Sequence, residues 1–178
     1  MKKPFFILCT FVFLAGCGNR DSAQPDNLLA SNNFEQLEGW TAETPLPSLS
    51  REKAHSGNFA MRVGPGVEYA NGYINTLGKL SPTRLGQIKV KAWVFVAEGN
   101  TSAVIVTQLL DAAAGSKPLL WEALPLEKAA SKRNEWVEVE KTISLPANVG
   151  PNTKLYVYLW RGASPTVAYI DDMQILRP

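Results

Sequence analysis

Residues 88–97 read Ile-Lys-Val-Lys-Ala-Trp-Val-Phe-Val-Ala, and this stretch decides the fold. Every second residue from Ile88 to Val96 is aliphatic, whereas the residues between them are two lysines followed by two rings. A period of two is typical of a strand with one face in a core and the other partly exposed or lining a groove. Residues 155–160, Leu-Tyr-Val-Tyr-Leu-Trp, repeat the pattern with rings at the alternate positions. Two sheets packed on such aliphatic faces would leave two outer faces that carry aromatic side chains.

Short β-branched and aromatic runs, separated by turn residues, continue on both sides of these two segments. They predict ten strands: Asn33–Glu35, Ser48–Lys53, Phe59–Val63, Tyr69–Asn75, Ile88–Ala97, Ala103–Leu110, Leu119–Leu124, Val137–Leu145, Leu155–Trp160 and Val167–Leu176. Residues 127–132 are compatible with one helical turn but are more typical of a loop. Ten short strands and no sustained helical stripe predict an all-β antiparallel sandwich or barrel.

The first seventeen residues have the layout of an export signal. Two lysines precede an apolar run over residues 5–15, which is too short to cross a bilayer, and Cys17 closes the run. This ending resembles the lipobox of bacterial lipoproteins, in which the peptide is cut before a cysteine that then carries lipid. The resemblance implies a signal peptide over residues 1–16, lipid on Cys17, a tether over residues 17–27 and a domain over residues 28–178. The alternative is an ordinary cysteine behind a leader.

Charge and cysteine content narrow the classes of function. The chain has 18 Lys and Arg against 16 Asp and Glu, and Lys2 and Lys3 of the signal peptide account for the difference. A neutral exported domain argues against nucleic acid as a partner, which needs a basic face. The cysteines are Cys9 and Cys17, so the exported domain has no disulfide, thiol nucleophile or thiolate metal site. Gly18 after the lipobox, where an aspartate would favour the inner membrane, favours the outer membrane of a bacterial envelope.

Several short motifs follow one another in an order that resembles a known family. The motifs are Asn33-Phe34-Glu35, Gly39-Trp40, the run from Ala54 to Val63, Lys91–Val94, Trp136 ahead of Thr142–Pro146, Leu155–Tyr158 and Ala168–Met173. Their order resembles the galactose-binding-domain-like jelly roll and is most similar to carbohydrate-binding modules of families four, nine and twenty-two. The resemblance covers the whole predicted domain. It implies a β-sandwich that binds polysaccharide or another glycan without catalysis.

The same resemblance implies a structural calcium ion at the edge of the sandwich. Its ligands would be Glu35, backbone carbonyls near Ser56 and Asn58, and Asp171, with Asp172 as a substitute. Calcium prefers several oxygen ligands, carboxylate and carbonyl together. The alternative is that the two carboxylates lie on the surface or cap a tight loop.

We find no catalytic constellation in the sequence. His55 is the single histidine, which excludes a zinc site built from histidines. We interpret it as an exposed loop residue rather than the base of a hydrolytic triad. Glu138 and Glu140 alternate with valines, as on a solvated strand face. We therefore expect that the protein is not an enzyme.

Aromatic side chains are the remaining signal, with five Trp and five Tyr. A ring stacks on the C–H face of a sugar while neighbouring polar groups bind its hydroxyls. Three groups combine both features: Tyr69, Asn71, Tyr73 and Asn75 alternating along one face of a strand; Trp160 with Arg161; and Trp121 with Glu122, with Gln108 on the same sheet. The alternative is that the rings pack: Trp40 would plug one end of the sandwich, and Trp93 and Trp136 would lie in the core or its rim.

Three hypotheses for function follow from these patterns. The first is non-catalytic carbohydrate binding at the cell envelope, which predicts weak binding with little salt dependence because the domain is neutral. The second is a structural or protein-interaction module of the outer membrane that has no sugar ligand. The third, an enzyme such as a lyase or hydrolase that uses Glu122, has the least support.

Overall fold

A computed structural model of the protein describes residues 25–36, 46–111 and 117–178, and of Asn71 only the backbone. Two antiparallel sheets pack face to face, as the alternation in the sequence predicts. The strands in this part of the chain are β1 (Leu28–Asn32), β2 (Leu49–Ser50), β3 (Ala60–Val63), β4 (Tyr69–Thr76), β5 (Gln87–Val96), β6 (Val104–Leu110), β7 (Leu120–Pro125), β8 (Trp136–Ser144), β9 (Lys154–Trp160) and β10 (Ala168–Leu176). Two helices of one turn are α1 (Leu77–Leu80) and α2 (Leu126–Ala129). The signal peptide, Cys17, most of the tether and Trp40 lie outside the described residues.

The two sheets differ in size. The six-stranded sheet has the order β2-β3-β10-β5-β8, and β1 also pairs with β10, beyond the point where β3 ends. The four-stranded sheet has the order β4-β9-β6-β7. Neighbouring strands are antiparallel in both sheets. The predicted fold class, an antiparallel β-sandwich of jelly-roll type, is therefore confirmed.

The core lies between the aliphatic faces that the sequence predicts. The alternate residues of β5 are buried, from Ile88 to Val96, and so are Leu155, Val157 and Leu159 of β9. Each fully buried side chain of this size stabilises the fold by about 1.5–3 kcal/mol relative to an exposed one. The two strands with the clearest alternation in the sequence thus supply much of the packing between the sheets.

Two predicted strands differ from the structure, and one short helix was not predicted. Residues 33–35 form a turn rather than a strand, because Phe34 has a positive φ of 61° and its N–H donates to the Asn32 side chain at 2.7 Å. The strand over residues 48–53 shrinks to β2, which pairs only with the start of β3. α1 was not predicted, and it forms because its first and last leucines are buried in the core. α2 overlaps the stretch that is compatible with one helical turn.

The two ends of the described chain meet at one end of the sandwich. The backbone N–H of Arg177 donates to the Asn27 carbonyl at 2.8 Å, and Asn27 Nδ2 donates to the Arg177 carbonyl at 2.7 Å. Arg177 Nη2 also donates to Ser81 Oγ at 3.0 Å, directly after α1. This is the end at which β4 runs into α1. No helix among the described residues has the length and apolar content of a membrane span.

Candidate functional site

The outer side of the four-stranded sheet carries a continuous set of apolar side chains, which we name the ring face. Because Leu155, Val157 and Leu159 of β9 point into the core, the residues between them point outward. Cross-strand pairing places residues of β4 and β7 on the same side: Tyr69 is opposite Trp160, Ile74 is opposite Tyr156, and Gln108 lies between Tyr156 and Trp121. The ring face consists of Tyr69, Ile74, Trp121, Tyr156, Tyr158 and Trp160.

Three of the six side chains of the ring face are exposed, and the other three are half-buried. Among the described residues, the large hydrophobic side chains that are exposed are Tyr69 at 58%, Ile74 at 59% and Trp121 at 47%, and all three belong to it. An exposed apolar patch of this kind marks a binding surface in a soluble domain. Its location on one sheet, spread over three of the four strands, makes it the candidate site.

The rings of this face contact one another across the strands. The centroids of Tyr69 and Trp160 lie 6.4 Å apart with their planes 11° from parallel, whereas Tyr69 and Tyr158 meet edge to face at 6.0 Å. The Tyr158 hydroxyl lies 3.4 Å from Gln108 Oε1. Burial raises the pKa of Tyr158, and its hydrogen bond with Trp121 opposes that rise. The hydroxyl therefore stays protonated at neutral pH and connects the middle of the face to β7.

One charged pair lies at the end of the ring face. Glu68, just before β4, accepts hydrogen bonds from Trp160 Nε1 and Arg161 Nε, each at 2.7 Å. These two hydrogen bonds hold the pKa of Glu68 below its ordinary value, so it is a carboxylate at neutral pH. Glu68 is not among the site residues that the sequence predicts. Antiparallel register was the available signal, because a strand in which Tyr69 faces Trp160 brings Glu68 next to Arg161.

The predicted ladder of Tyr69, Asn71, Tyr73 and Asn75 on one face is wrong. β4 has a bulge between Ala70 and Tyr73, and the bulge reverses which side chains point outward. Tyr69 is opposite Trp160 on the outer side, whereas Tyr73 is opposite Val157 and packs against the core, where burial raises its pKa. Tyr73 lines a pocket of about 250 Å³ between β4, β1 and β10. The side chain of Asn71 lies outside the described part.

Trp121 and Glu122 separate onto opposite sides of β7. Trp121 belongs to the ring face, but Glu122 is opposite Thr107, a buried residue of β6 that faces the other sheet. Its carboxylate lies 2.8 Å from Lys141 Nζ of β8, and the same ammonium donates to the Ala123 carbonyl at 2.8 Å. Glu122 therefore joins the two sheets at their open edge and is not a neighbour of Trp121 in a binding site.

A second group of rings lies on the outer side of the six-stranded sheet, and we name it the covered face. It consists of Trp93, Phe95, Trp136 and Tyr169. The segment over residues 52–55 lies across it: the His55 ring stacks 3.9 Å from Trp93, Lys53 Nζ lies 4.5 Å above Phe95, and Glu52 accepts the Tyr169 hydroxyl at 2.6 Å. Burial and the Glu52 carboxylate raise the pKa of Tyr169 to about 12. His55 is an exposed loop residue, as predicted, and one face of its ring stacks on Trp93.

The residues expected to bind calcium surround one loop. Glu35 Oε1 accepts the N–H groups of Asn58 and Phe59, both at 2.8 Å. Burial alone would raise the pKa of Glu35, but these hydrogen bonds outweigh it and the pKa lies below its ordinary value. Gly57, directly before Asn58, has a φ of +60°, and a Cβ there would clash with the Glu35 carboxylate. The positive φ and the nearby carboxylate therefore favour glycine at this position.

Asp171 holds the other side of the same loop. Its Oδ2 accepts the N–H groups of His55 at 2.8 Å and Ser56 at 3.1 Å, and its Oδ1 accepts the N–H of Asp172 at 2.7 Å. The side chain is fully buried, which raises its pKa against the effect of those N–H donors. Asp171 and Glu35 therefore cap a tight loop, which is the alternative that the sequence left open, although Asp171 does not lie on the surface.

The donor set does not fit a calcium ion in this arrangement. Both carboxylates already accept N–H groups, whereas Ca²⁺ needs oxygen lone pairs that point at one centre. Within residues 25–36, 46–111 and 117–178, no group of three or more His, Cys, Asp or Glu side chains is placed to hold a metal ion. Calcium at Glu35, Ser56, Asn58 and Asp171 stays a prediction of the sequence, which a metal titration can check.

His55, Ser56 and Asp172 lie together but do not form a hydrolytic triad. Asp172 Oδ2 lies 2.6 Å from His55 Nδ1, and its Oδ1 accepts the Ser56 hydroxyl at 2.8 Å. In a triad the hydroxyl is hydrogen-bonded to the imidazole that takes its proton. Here the hydroxyl is bound to the carboxylate, and the imidazole is stacked on Trp93. This arrangement fixes a loop and does not activate a nucleophile.

The comparisons with known proteins concern structure alone. No protein-family model matches the chain, and no curated protein matches it. The C-terminal family 22 carbohydrate-binding module of Clostridium thermocellum Xyn10B is similar, with 19% identity and a TM-score of 0.52 over 86% of this chain and 96% of that module. A xylan-binding domain of family 22 has 17% identity and a TM-score of 0.51 over 86% and 97%. The chain has the fold of these β-sandwich modules. Similarity to families four and nine stays a prediction.

Proposed function

We propose that the protein binds a linear glycan along the ring face without catalysing a reaction. The observation that carries this proposal is that Tyr69, Ile74 and Trp121, the exposed large hydrophobic side chains of the described residues, all lie on the outer side of one sheet. The covered face has four rings but no such exposure. The ring face is thus the surface at which apolar area remains to be buried by a partner.

Rings suit a sugar because a pyranose has C–H groups on its faces and hydroxyls on its rim. Stacking removes the C–H groups and the ring from water together, and the rim needs hydrogen-bond partners. Gln108 lies between Tyr156 and Trp121, and Glu68 with Arg161 lies beside Trp160. Four strands span roughly 15 Å, about the length of three linked pyranose rings. A glycan chain lying across the strands would meet rings and polar groups along its length.

The similar structures support this proposal. One of them is a xylan-binding domain, and the other is a module with a cleft that takes part in ligand binding. Both share the sandwich fold with this chain. We extend glycan binding to this protein because the same fold here carries rings on one outer face, of which Tyr69 and Trp121 are exposed.

Calorimetry on the full chain in detergent, with a panel of soluble xylans, glucans and mannans, tests the proposal. We expect at least one glycan to bind with micromolar to millimolar affinity. Trp121→Ala should weaken that binding by about tenfold or more, since a large exposed ring that becomes buried against the sugar carries much of the energy of a small interface. The matched control is Trp136→Ala, which removes an indole from the covered face and should leave the affinity unchanged. A folded protein that binds no glycan of the panel would refute the proposal.

A protein partner is the second candidate, and Ile74 is the observation that favours it. Its side chain is 59% exposed and aliphatic, so it offers no ring for a sugar to stack on. Pull-down from solubilised envelopes, with the unchanged chain and with Trp160→Ala, separates the two functions. A partner that is lost with Trp160→Ala, combined with no glycan binding, would support an interaction module.

We propose further that the protein is lipidated at Cys17 and held at the outer membrane. The lipobox-like ending of residues 14–17 supports this, as does the glycine that follows it. Metabolic labelling with a fatty acid, and its loss in Cys17→Ser, would test the anchor. Fractionation of inner and outer membranes would test the location.

A further inference from the structure

Glu68 binds two side chains of the ring face region at once. Trp160 Nε1 donates to its Oε1 and Arg161 Nε donates to its Oε2, each at 2.7 Å. The backbone ties the same residues together, because the N–H of Arg161 donates to the Glu68 carbonyl at 2.9 Å. One carboxylate therefore fixes the places of both an indole and a guanidinium.

The first consequence concerns the orientation of Trp160. An exposed indole can turn about its two side-chain torsions, and a hydrogen bond to its single N–H selects one orientation. In that orientation its plane is 11° from the plane of Tyr69, at 6.4 Å between centroids. The two rings at this end of the face are thus parallel, which suits neighbouring sugars of one chain.

The second consequence concerns charge. A guanidinium does not lose its proton in a protein, so only a nearby anion can cancel its charge. Arg161 is 27% exposed and Glu68 is 39% exposed, so both are within reach of a ligand. Without its partner, Arg161 would offer the planar fork that binds carboxylates with two hydrogen bonds. With its partner, the Arg161 Nε–H is bound to Glu68 Oε2 and the pair has no net charge.

We propose that Glu68 determines specificity on the ring face: it positions Trp160 for stacking and neutralises the charge of Arg161, so that the face takes uncharged sugars and discriminates against uronic acids. This inference rests on the proposed function. Glu68 is a positioning residue in this role, because it acts through the indole and the guanidinium.

Three variants of the full chain separate the two effects. Glu68→Gln keeps an oxygen that can accept the Trp160 N–H but removes the charge that holds Arg161. Glu68→Ala removes both contacts. The matched control is Glu122→Gln, which neutralises a carboxylate of the same sheet with a similar exposure of 43% and a cation at 2.8 Å, but away from the ring face.

The readouts are calorimetric affinities for xylohexaose, which is neutral, and for hexagalacturonate, which is anionic, at low and high salt. The unchanged protein should bind xylohexaose about tenfold more tightly than hexagalacturonate. Glu68→Gln should raise the affinity for hexagalacturonate about fivefold at low salt and lose that gain at high salt, since the freed charge is screened. Its affinity for xylohexaose should stay within about twofold, whereas Glu68→Ala should weaken it about fivefold. Glu122→Gln should change neither affinity by more than about twofold.

A second readout does not depend on a ligand. The indole N–H resonance of Trp160 should move in Glu68→Ala and keep a hydrogen-bonded position in Glu68→Gln. Two outcomes would overturn this inference and leave the proposed function standing. One is that Glu68→Gln and Glu122→Gln change the affinity for hexagalacturonate equally. The other is that the unchanged protein binds both hexasaccharides with equal affinity. Absence of binding to both hexasaccharides and to the wider panel would overturn the proposed function, and this inference with it.

Discussion

The two outer faces of the sandwich carry similar numbers of rings, but these rings differ in their exposure to solvent. On the four-stranded sheet, Tyr69 and Trp121 are 58% and 47% exposed. On the six-stranded sheet, Phe95 and Tyr169 are 5% and 4% exposed, because residues 52–55 lie across them. The alternation along β5 and along β9 is the same, so the strand pattern does not decide which rings are free. A loop that begins at the end of β2, far from either strand in sequence, decides it.

The difference in ring exposure between the two outer faces can be tested first at the bulge in β4. Gly72→Ala is expected to lower the free energy of unfolding by about 3 kcal/mol or more, because a Cβ at this position would lie 1.8 Å from the Val157 carbonyl oxygen. Without the bulge, Tyr69 and Ile74 could not both point outward, because residues five apart in a regular strand lie on opposite sides. Urea denaturation measures the loss.

The control for this change is Gly86→Ala. No atom lies within 4 Å of a Cβ at Gly86, so its effect should stay within about 0.5 kcal/mol. A stable Gly72→Ala protein with unchanged glycan affinity would contradict the role that we give to the bulge.

Asp171 holds the segment that lies across the covered face, so changing Asp171 should expose that face. Asp171→Asn should cost about 2–3 kcal/mol, because an amide would place a donor where the carboxylate now accepts three backbone N–H groups. The loop at His55 should loosen, and quenching of Trp93 fluorescence by acrylamide should increase. In Glu138→Gln, which removes an exposed carboxylate 2.8 Å from Lys91, stability should change by no more than about 0.5 kcal/mol. Quenching that stays the same in both variants would show that the loop does not depend on Asp171.

Acid should affect the end of the ring face through Glu68. Its pKa is lowered in the folded protein by hydrogen bonds from Trp160 and Arg161, below the ordinary value of 4.5. The stabilisation is therefore complete above about pH 4.5 and is lost as the pH falls through the lower folded value. The indole resonance of Trp160 should shift in that acid range, and Glu68→Gln should abolish the shift. A Trp160 resonance that titrates identically in Glu68→Gln would exclude Glu68 as its cause.

Calcium should have the smallest effect of all. Because Glu35 and Asp171 already accept N–H groups, added Ca²⁺ should raise the melting temperature by less than about 1 °C relative to chelator. A clear rise would restore the calcium site that the sequence predicts. Asp171→Asn would then be expected to abolish the rise, which links this measurement to the covered face.

The fold was predictable from the sequence because its main strands follow a local rule. The alternate aliphatic residues of β5 and β9 specify strands and their buried sides without knowledge of their partners. The outward position of Trp160 follows from the same rule applied to β9. For these residues, the local pattern and the final environment agree.

The candidate site was only partly predictable because it depends on contacts between distant segments. A bulge is invisible in the alternation of Tyr69, Asn71, Tyr73 and Asn75, so Tyr73 was placed on the wrong side. Glu122 follows Trp121 directly, but in an extended strand consecutive side chains point to opposite sides, and this residue pairs with Lys141 of the other sheet. The polar partner of Trp160 and Arg161 is Glu68, which lies directly before β4. Only the register between β4 and β9 shows that it lies beside them.

The proximity of Asn27 and Arg177 has a consequence for how this domain can be attached to other polypeptides. A domain whose first and last residues lie next to each other can be inserted into a surface loop of another protein without distorting either one. Tyr69 and Trp160 lie toward the far end of the sandwich from that junction, so a graft made there would leave them facing away from the host. The domain is thus suited to use as an inserted cassette, with its contact surface projecting outward.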